Sequence, residues 1–378
     1  MAFMQNTTEV KSFFIFANVF ILNEIIICQH KLNSIREMKM KKNKISGIPF
    51  IKILMMTIML FPGLALSIIA QETEEFKPGG KMEARIFTSL GTTFSGGENH
   101  TKFDLGRAYL GYNYNFSRKL TGRLVYDVSD PSVGKLKFTG MLKFAYLKYQ
   151  TGKLTVSGGM IALPEYDFGD RKWGFRYTYK TLHDEYGFGT AADLGLNVTY
   201  SFASWISADL TVMNGEGFKL TESDSTFKAA ASINVMPFRN FSLRMYFDNM
   251  SKNSVNQETT EIIAAYENRG YVISAAWNYR WNHNLIKGQD YQGVTVNGTI
   301  PVNKKIRIFG RYDYLASVKT GSSPDPWNLA KDGQLFMTGV DFSLAPGVSL
   351  SPNFTGWKPA DSSRPFISRF TISLDLKI

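Results

Sequence analysis

The sequence predicts an all-β protein: a transmembrane antiparallel β-barrel of about 16 strands, within a range of 14–18, with short periplasmic turns and long external loops. Three observations predict it: hydropathy alternates with period two after residue 80, short and long connections alternate, and aromatic residues reach 14% of a chain whose mean hydropathy is −0.14. A helical membrane protein needs runs of about 20 apolar residues. A barrel strand alternates lipid-facing and lumen-facing residues, so its mean hydropathy stays near zero.

Residues 38–70 have the pattern of a cleaved secretory signal peptide. Basic residues between Lys39 and Lys52 precede an apolar run over 53–66, and Ala70 supplies a small residue before the predicted cut. The early breaker Pro62-Gly63 disfavours the alternative of a transmembrane anchor. Residues 1–37 are interpreted as an artefactual leader, with an extended presequence as the alternative. Residues 71–378 then form the barrel, which we expect in the bacterial outer membrane.

Composition excludes several other classes of protein. The single cysteine, Cys28, lies before the predicted cleavage site, so the mature chain has neither a disulfide scaffold nor a zinc–cysteine cluster. The net charge of +11 is not gathered into a basic patch, so nucleic acid is not an expected partner. No phosphate-binding loop or dinucleotide fingerprint is present. We therefore expect no cofactor, no metal and no catalytic residue.

Sixteen segments after residue 80 alternate as β-strands do. In one of them, Leu124 and Tyr126 share a face opposite Arg123 and Asp127. Crossing a bilayer at a tilt takes roughly 9–11 residues, which these segments supply. The predicted strands start near residues 82, 103, 119, 138, 153, 191, 205, 227, 241, 260, 271, 292, 304, 333, 347 and 366.

The connections between these segments alternate in length, which a soluble sandwich has no reason to do. Outer-membrane barrels have short periplasmic turns, long external loops and an even strand number. The short connections are predicted at 116–119, 151–152, 202–204, 237–240, 268–270, 301–304 and 345–347. The long ones are predicted at 94–102, 129–137, 162–190, 214–226, 249–259, 282–291, 316–332 and 356–365.

Aromatic clusters and the last segment agree with a barrel. Rings such as Tyr112, Tyr114 and Phe116 gather at strand ends, which is typical of the two aromatic girdles of a membrane barrel. A large apolar core that uses rings for volume is the alternative. The amphipathic strand from Phe366 to Ile378 resembles the segment that barrel-assembly machinery reads, although it ends in isoleucine where such signals most often end in an aromatic residue.

The third long connection, about 162–190, is the longest and is rich in both signs of charge. A narrow lumen with a mixed-charge constriction selects solutes by size and charge. The predicted constriction residues are Glu165, Asp167, Asp170, Arg171, Lys172, Arg176 and Lys180.

Several short motifs resemble, in the same order, those of the phosphate-selective porin O/P family. They are Phe144-Ala145-Tyr146-Leu147-Lys148-Tyr149, Ser157-Gly158-Gly159-Met160 up to Pro164, Asp193-Leu194-Gly195-Leu196, Met213-Asn214-Gly215-Glu216-Gly217 and Gly310-Arg311-Tyr312-Asp313-Tyr314. The resemblance covers most of the predicted mature chain and implies a trimeric, passive channel whose third loop folds into the barrel. The resemblance implies that phosphate selectivity in this family depends on a ladder of lumenal arginines.

The predicted lumen-facing charges balance, which favours a weakly selective pore over a phosphate trap. Odd or even position within each predicted strand shows which residues face the lumen. The lumen-facing cations are Arg107, Arg123, Arg244, Arg280, Arg307, Arg311 and Arg369. The lumen-facing anions are Asp127, Asp193, Asp209, Asp248, Asp313, Asp341 and Asp375. The alternative interpretation is a cross-strand salt-bridge network that braces the wall.

Two functions remain in competition. The first is an outer-membrane porin for passive diffusion of small hydrophilic solutes or of ions, among them anions such as phosphate. It would work as a homotrimer in outer-membrane lipid. The second is a structural or adhesive barrel whose loops bind an external ligand while the lumen stays plugged. His100, His183 and His283 lie in predicted loops, where we expect solvated rather than catalytic side chains.

Overall fold

The computed structural model describes residues 76–130, 138–223 and 225–378. The predicted signal peptide, its cleavage site and the leader lie outside these residues. The described residues form a closed antiparallel barrel of 16 strands, as the sequence predicts. Two helices, α1 (Pro164–Trp173) and α2 (Leu182–Glu185), and a 3-10 turn at His283–Leu285 lie in connections. Among the described residues, no helix is long and apolar enough to cross a membrane.

The strands begin close to their predicted positions. Their bounds are β1 (Gly79–Ser95), β2 (Glu98–Asn115), β3 (Leu120–Ser129), β4 (Thr139–Thr151), β5 (Leu154–Ala162), β6 (Ala192–Ala203), β7 (Ile206–Met213), β8 (Lys228–Val235), β9 (Phe241–Lys252), β10 (Val255–Asn268), β11 (Tyr271–Trp281), β12 (Tyr291–Pro301), β13 (Ile306–Ser317), β14 (Gly333–Ala345), β15 (Val348–Pro359) and β16 (Ile367–Lys377).

Each strand pairs with its neighbours in sequence, and β16 closes the barrel against β1. The closing register runs from Arg85 opposite Lys377 to Ser95 opposite Ile367. Closure leaves no unpaired strand edge, which in lipid would carry unsatisfied backbone groups. The predicted role of the last segment as the closing strand is therefore confirmed.

Period-two alternation places apolar side chains on the outside of the barrel. On β9, Met245 and Phe247 are exposed, whereas Arg244, Tyr246 and Asp248 are buried inside. Outward rings contact one another near both ends of the barrel. Examples are Tyr114 with Phe116 before a short turn and Tyr279 with Trp281 before a long loop. These bands fit the two headgroup-level girdles of a membrane barrel.

The strict alternation of connection lengths is wrong at two predicted long loops. In place of 94–102, only Gly96 and Gly97 separate β1 from β2, and in place of 249–259, only Asn253 and Ser254 separate β9 from β10. All four residues have positive φ, the backbone geometry of tight hairpin turns. The flanking residues are polar and resemble loop residues in sequence. They nevertheless continue the strand pairing beyond the apolar band.

Candidate pore constriction

The connection between β5 and β6, residues 163–191, supplies most of the predicted constriction; we call it L3. It begins as α1, with Pro164 in its first turn, where the missing backbone N–H costs nothing. Gly174 ends α1 in the left-handed conformation. The hydroxyl of Thr181 then accepts a hydrogen bond from the backbone N–H of Asp184 and caps α2. L3 returns to the wall at Ala192, the Cα partner of Ala162.

L3 lies inside the barrel. Its residues Trp173, Phe175 and Tyr177 are buried in one cluster with Phe87 of β1 and with residues of β13 and β14. The ring of Phe175 stacks on Phe309 of β13 at 4.2 Å between centroids. On the other side, Tyr166 of α1 packs in a cluster with Tyr246 of β9. A single loop can contact strands on opposite sides of a closed barrel only by crossing its interior.

Polar contacts from the wall anchor the backbone of L3. Arg311 of β13 donates to the carbonyl oxygen of Lys180, and Arg280 of β11 donates to the carbonyl oxygens of Gly187 and Phe188. The hydroxyl of Tyr177 donates to Asp341 at 2.5 Å. These bonds satisfy backbone and side-chain groups that the crossing removes from water.

The predicted constriction residues separate into four environments. Arg176 is buried within L3, where it donates to Asp184 at 2.9 Å and lies 3.7 Å from Asp170. Lys172 pairs with Glu267 of β10, and Lys180 lies 3.5 Å from Glu185 within L3. Glu165 is buried against the wall at 3% exposure and does not face an open passage.

Arg171 and Asp167 face the larger cavity below L3. This cavity has a volume of about 850 Å³ and reaches the barrel end that carries the short turns. A second cavity, of about 280 Å³, lies on the β1–β4 side and is bordered by Asp167, Asp170 and Arg176. Residues of L3 therefore border both cavities.

The charges of L3 respond to this burial. Burial opposes ionisation of Asp184, but Arg176 and Lys180 hold the pKa of this carboxyl below its ordinary value. Burial raises the pKa of Asp170, and Arg176 opposes that rise. The guanidinium of Arg176 thus faces the ionised carboxylate of Asp184 and the carboxyl of Asp170, which is the weaker acid of the two.

The wall residues predicted by parity form ion pairs along the inside of the barrel. Arg107 pairs with Asp127, and Arg123 lies 2.8 Å from Glu83. Arg244 binds Asp209 through two nitrogens, Arg307 binds Asp341, and Arg311 binds Asp313 through two nitrogens. Asp248 lies 3.7 Å from Lys228. This arrangement corresponds to the salt-bridge network that was the alternative interpretation.

Burial separates most of the wall arginines into two groups, and Arg107, with a side chain that is 13% exposed, lies between them. Arg244, Arg280 and Arg311 are buried, and the last two hold L3. Four other arginines have side chains that are 31–43% exposed: Arg85, Arg123, Arg307 and Arg369. Three of these four belong to β1, β3 and β16. The more accessible wall arginines therefore lie mainly on the side of the lumen where the barrel closes.

Sequence reasoning missed several contributing residues. Glu83 and Arg85 of β1 share the inward parity of Phe87, and that parity was available from the sequence. The expectation of a solvated His183 is wrong, because this side chain is 4% exposed and contacts β10 and β11. Nothing in the local sequence marks it, since burial comes from the loop crossing the lumen. Among the described residues, no group of three His, Cys, Asp or Glu side chains could hold a metal ion.

No protein-family model matches the chain, and no curated protein matches it. Solved structures resemble it in fold. The outer membrane channel DcaP of Acinetobacter baumannii is 11% identical, with a TM-score of 0.58 over 82% of this chain and 100% of that one. An anion-selective porin from Comamonas acidovorans is 10% identical, with a TM-score of 0.57 over 80% and 100%.

A trimer form of OmpT, an outer membrane protein of Vibrio cholerae, is 14% identical, with a TM-score of 0.55 over 80% of this chain and 100% of that one. At such low identity these likenesses concern the fold alone. They bear out a porin-type barrel and leave membership of the phosphate-selective O/P family unconfirmed. The described chain therefore has the fold of an outer-membrane porin, a closed 16-stranded barrel.

Proposed function

We propose that this protein is an outer-membrane porin that forms a water-filled channel for passive diffusion of small hydrophilic solutes or ions. The observation that carries this proposal is L3, which crosses the lumen and leaves partly exposed arginines on the wall of the barrel. A charged, narrowed lumen selects solutes by size and charge. The similarity to a channel and to an anion-selective porin supports it at the level of fold.

The lumenal charges favour weak ion selectivity over phosphate trapping. Each of the four partly exposed arginines lies within 4.0 Å of a carboxylate oxygen, as Arg369 does with Asp104. Phosphate binding calls for several cations that converge without intervening anions. A phosphate-selective member of the O/P family is therefore the less favoured form of the proposal.

The remaining parts of the proposal concern setting and chemistry. The apolar outer face suits outer-membrane lipid, the amphipathic closing strand suits barrel-assembly machinery, and the trimer form of a structural neighbour supports a homotrimer.

We propose no enzymatic activity. The buried imidazole of His183 contacts Glu261 and Asn278 of the barrel wall.

Single-channel recording in planar bilayers tests the central proposal. Folded, purified protein is expected to give discrete conductance steps, and reversal potentials in a salt gradient then report the ion preference. Liposome swelling with sugars of graded size gives the exclusion limit. A folded protein that neither conducts nor admits the smallest sugar would exclude the channel.

A structural or adhesive barrel is the second candidate. The observation that favours it is the dense packing of L3, whose Trp173, Phe175 and Leu182 are each at most 2% exposed. If the lumen is plugged, liposomes that contain the folded protein will stay impermeable to all sugars. Binding of an external ligand would then depend on the long loops, and shortening them would abolish it.

A further inference from the structure

Three acid–base groups meet where L3 docks on β10 and β11. Glu165 of α1, His183 of α2 and Glu261 of β10 are 3%, 4% and 2% exposed, and all three border one small cavity. Nδ1 of His183 lies 3.4 Å from Oε1 of Glu261 and 3.1 Å from Oδ1 of Asn278. Both neighbours are acceptors, so Nδ1 carries the proton and donates.

The fit around this imidazole is tight. Nε2 of His183 faces Gly189, where an added Cβ would lie only 1.7 Å from it. Nε2 of His183 and Oε2 of Glu261 are buried without a hydrogen-bond partner among the described residues. The shared cavity has a volume of only about 30 Å³, enough for one water molecule. A change of charge here cannot be screened by bulk solvent.

Protonation determines how well these groups tolerate burial. Burial raises the pKa of Glu165 to about 7, although His183 and Arg244 oppose that rise. Burial opposes the positive charge of His183, yet the carboxylate of Glu261 raises the pKa of this imidazole. The docked loop therefore favours a neutral Glu165 and a protonated His183.

The surrounding charges are largely committed to other partners. Asp209 of β7 and Arg244 of β9 bind each other, and Arg311 binds Asp313. Lys172 pairs with Glu267. The remaining neighbours are Tyr246 of β9, whose hydroxyl donates to Asp248, and Arg280 of β11, which donates to L3 carbonyls. His183 is thus the cation in contact with Glu261.

We infer that Glu165, His183 and Glu261 form a proton-controlled latch that holds the 181–189 segment of L3 in the lumen. Protonation of the cluster docks the segment against β10 and β11, and loss of protons loosens it. The consequence for permeation, a wider passage at alkaline pH, rests on the proposed channel function. The latch itself concerns only the position of L3.

Glu165 and His183 both make docking of L3 weaker as the pH rises. The undocked Glu165 carboxyl ionises near 4.5, whereas the docked one stays neutral up to about 7, so docking weakens as the pH rises between these values. The imidazole pKa is raised in the docked state, so its contribution is complete below 6.5 and is lost as the pH rises through the docked value. One pKa unit corresponds to a factor of ten, so a Glu165 carboxyl that returns even part of the way to its ordinary pKa changes the docking equilibrium by at least tenfold.

A spin label on L3 measures docking without any need for conduction. Lys180→Cys, in a background in which the single cysteine Cys28 is serine, places the label beside α2 on a side chain that is 43% exposed. The folded full-length protein in lipid vesicles is recorded by electron paramagnetic resonance from pH 5 to pH 9. We expect the mobile fraction of the spectrum to rise at least tenfold over this range.

Matched variants assign the response to the latch. Glu165→Gln is expected to reduce the rise, and Glu165→Gln with His183→Gln to remove it. His283→Gln is the control, because burial lowers the pKa of this loop histidine to about 4 and keeps it neutral throughout. A heat-modifiable band on SDS gels establishes that each variant is folded.

Each outcome decides the matter. A flat wild-type profile, a double variant that keeps the full response, or a response that His283→Gln abolishes would overturn the latch. Conductance is recorded in parallel. If the label responds to pH but the protein never conducts, the channel is refuted and the latch is supported. If the protein conducts but the label stays immobile at every pH, the latch is refuted and the channel is supported.

Discussion

At the scale of single residues, the lumen is organised by arginines that perform two different tasks. Arg311 binds both oxygens of Asp313, two positions further along the same strand, at 2.8 and 2.6 Å. It also donates to a backbone carbonyl of L3 and lies 5.1 Å from the ring centre of Trp173. Arg85, by contrast, bridges the closing strands through Asp375 and keeps a third of its side chain exposed.

Replacing Arg311 by methionine should destabilise the barrel, because Asp313 would remain buried without its guanidinium partner. The expected cost is about 3–5 kcal/mol in the free energy of unfolding, measured by denaturant titration in lipid vesicles. The double variant Arg311→Met with Asp313→Asn should recover most of it. Arg364→Met, which removes a solvent-exposed pair with Asp361 and an exposed hydrogen bond to the carbonyl oxygen of Ala330, is the control and should change little. Equal losses at both arginines would contradict the assigned role.

Gly189 should not tolerate a methyl group. Its Cβ would meet the imidazole of His183, so Gly189→Ala is expected to expel this part of L3 from its dock. Gly169→Ala is the matched control within the same loop. Its Cβ would make an ordinary 3.5 Å contact with Ile263, and alanine favours the helix in which it stands. The mobility of the Lys180→Cys spin label at pH 5 should rise in the first variant and stay low in the second.

At the scale of elements, the strands and L3 have separate sources of stability. Every strand obtains its backbone hydrogen bonds from two neighbours, so the barrel does not depend on its contents. L3 has two short helices and docks through rings and polar anchors supplied by distant strands. The loop can therefore be altered while the wall remains.

Replacing residues 163–191 by a short glycine-rich turn should leave a folded barrel with a wider lumen. Ala162 and Ala192 already face each other as the last pair of β5 and β6, so a hairpin turn can join them. Single-channel conductance is expected to rise several-fold. Shortening the rim loop 360–366 between β15 and β16 is the control and should leave it unchanged. An unchanged conductance after removal of L3 would show that the narrowest point lies elsewhere.

At the scale of the whole molecule, the ion preference of the lumen depends on the sum of its charges. The accessible arginines are each balanced by a nearby carboxylate, which predicts a weak preference. The larger cavity below L3 is bordered by the cations Lys148, Lys153 and Arg171 and by the anions Asp167 and Asp209, so the lumen carries both signs of charge. Ion selectivity therefore depends on all the lumenal charges together and not on any single arginine–carboxylate pair.

Neutralising the four partly exposed arginines should shift the pore toward cations, because their carboxylate partners would remain. The variant changes Arg85, Arg123, Arg307 and Arg369 to glutamine together. Reversal potential in a tenfold salt gradient is the measurement, and it should move in the cation-selective direction. Arg239→Gln in the exposed turn between β8 and β9 is the control for loss of a positive charge outside the lumen. A reversal potential that does not move would place the ion path away from these arginines.

The sequence by itself determined the wall of this protein. Period-two alternation depends only on neighbouring residues, because successive side chains of a strand point to opposite faces. It therefore predicts the strands, their number and the inward parity of residues such as Arg107 and Asp127. It failed at 94–102 and 249–259, where polar residues continue the pairing beyond the lipid and the pattern no longer distinguishes strand from loop.

Only the tertiary structure decided what fills the lumen. His183 and Glu261 are 78 positions apart in sequence numbering, and nothing in either segment indicates that they meet. Their contact depends on barrel closure, which places β10 opposite the end of L3, and on apolar rings that draw the loop inward. Alternation of hydropathy indicates which face of the sheet a residue occupies. Contacts between L3 and a distant strand depend instead on how all 16 strands curve and close.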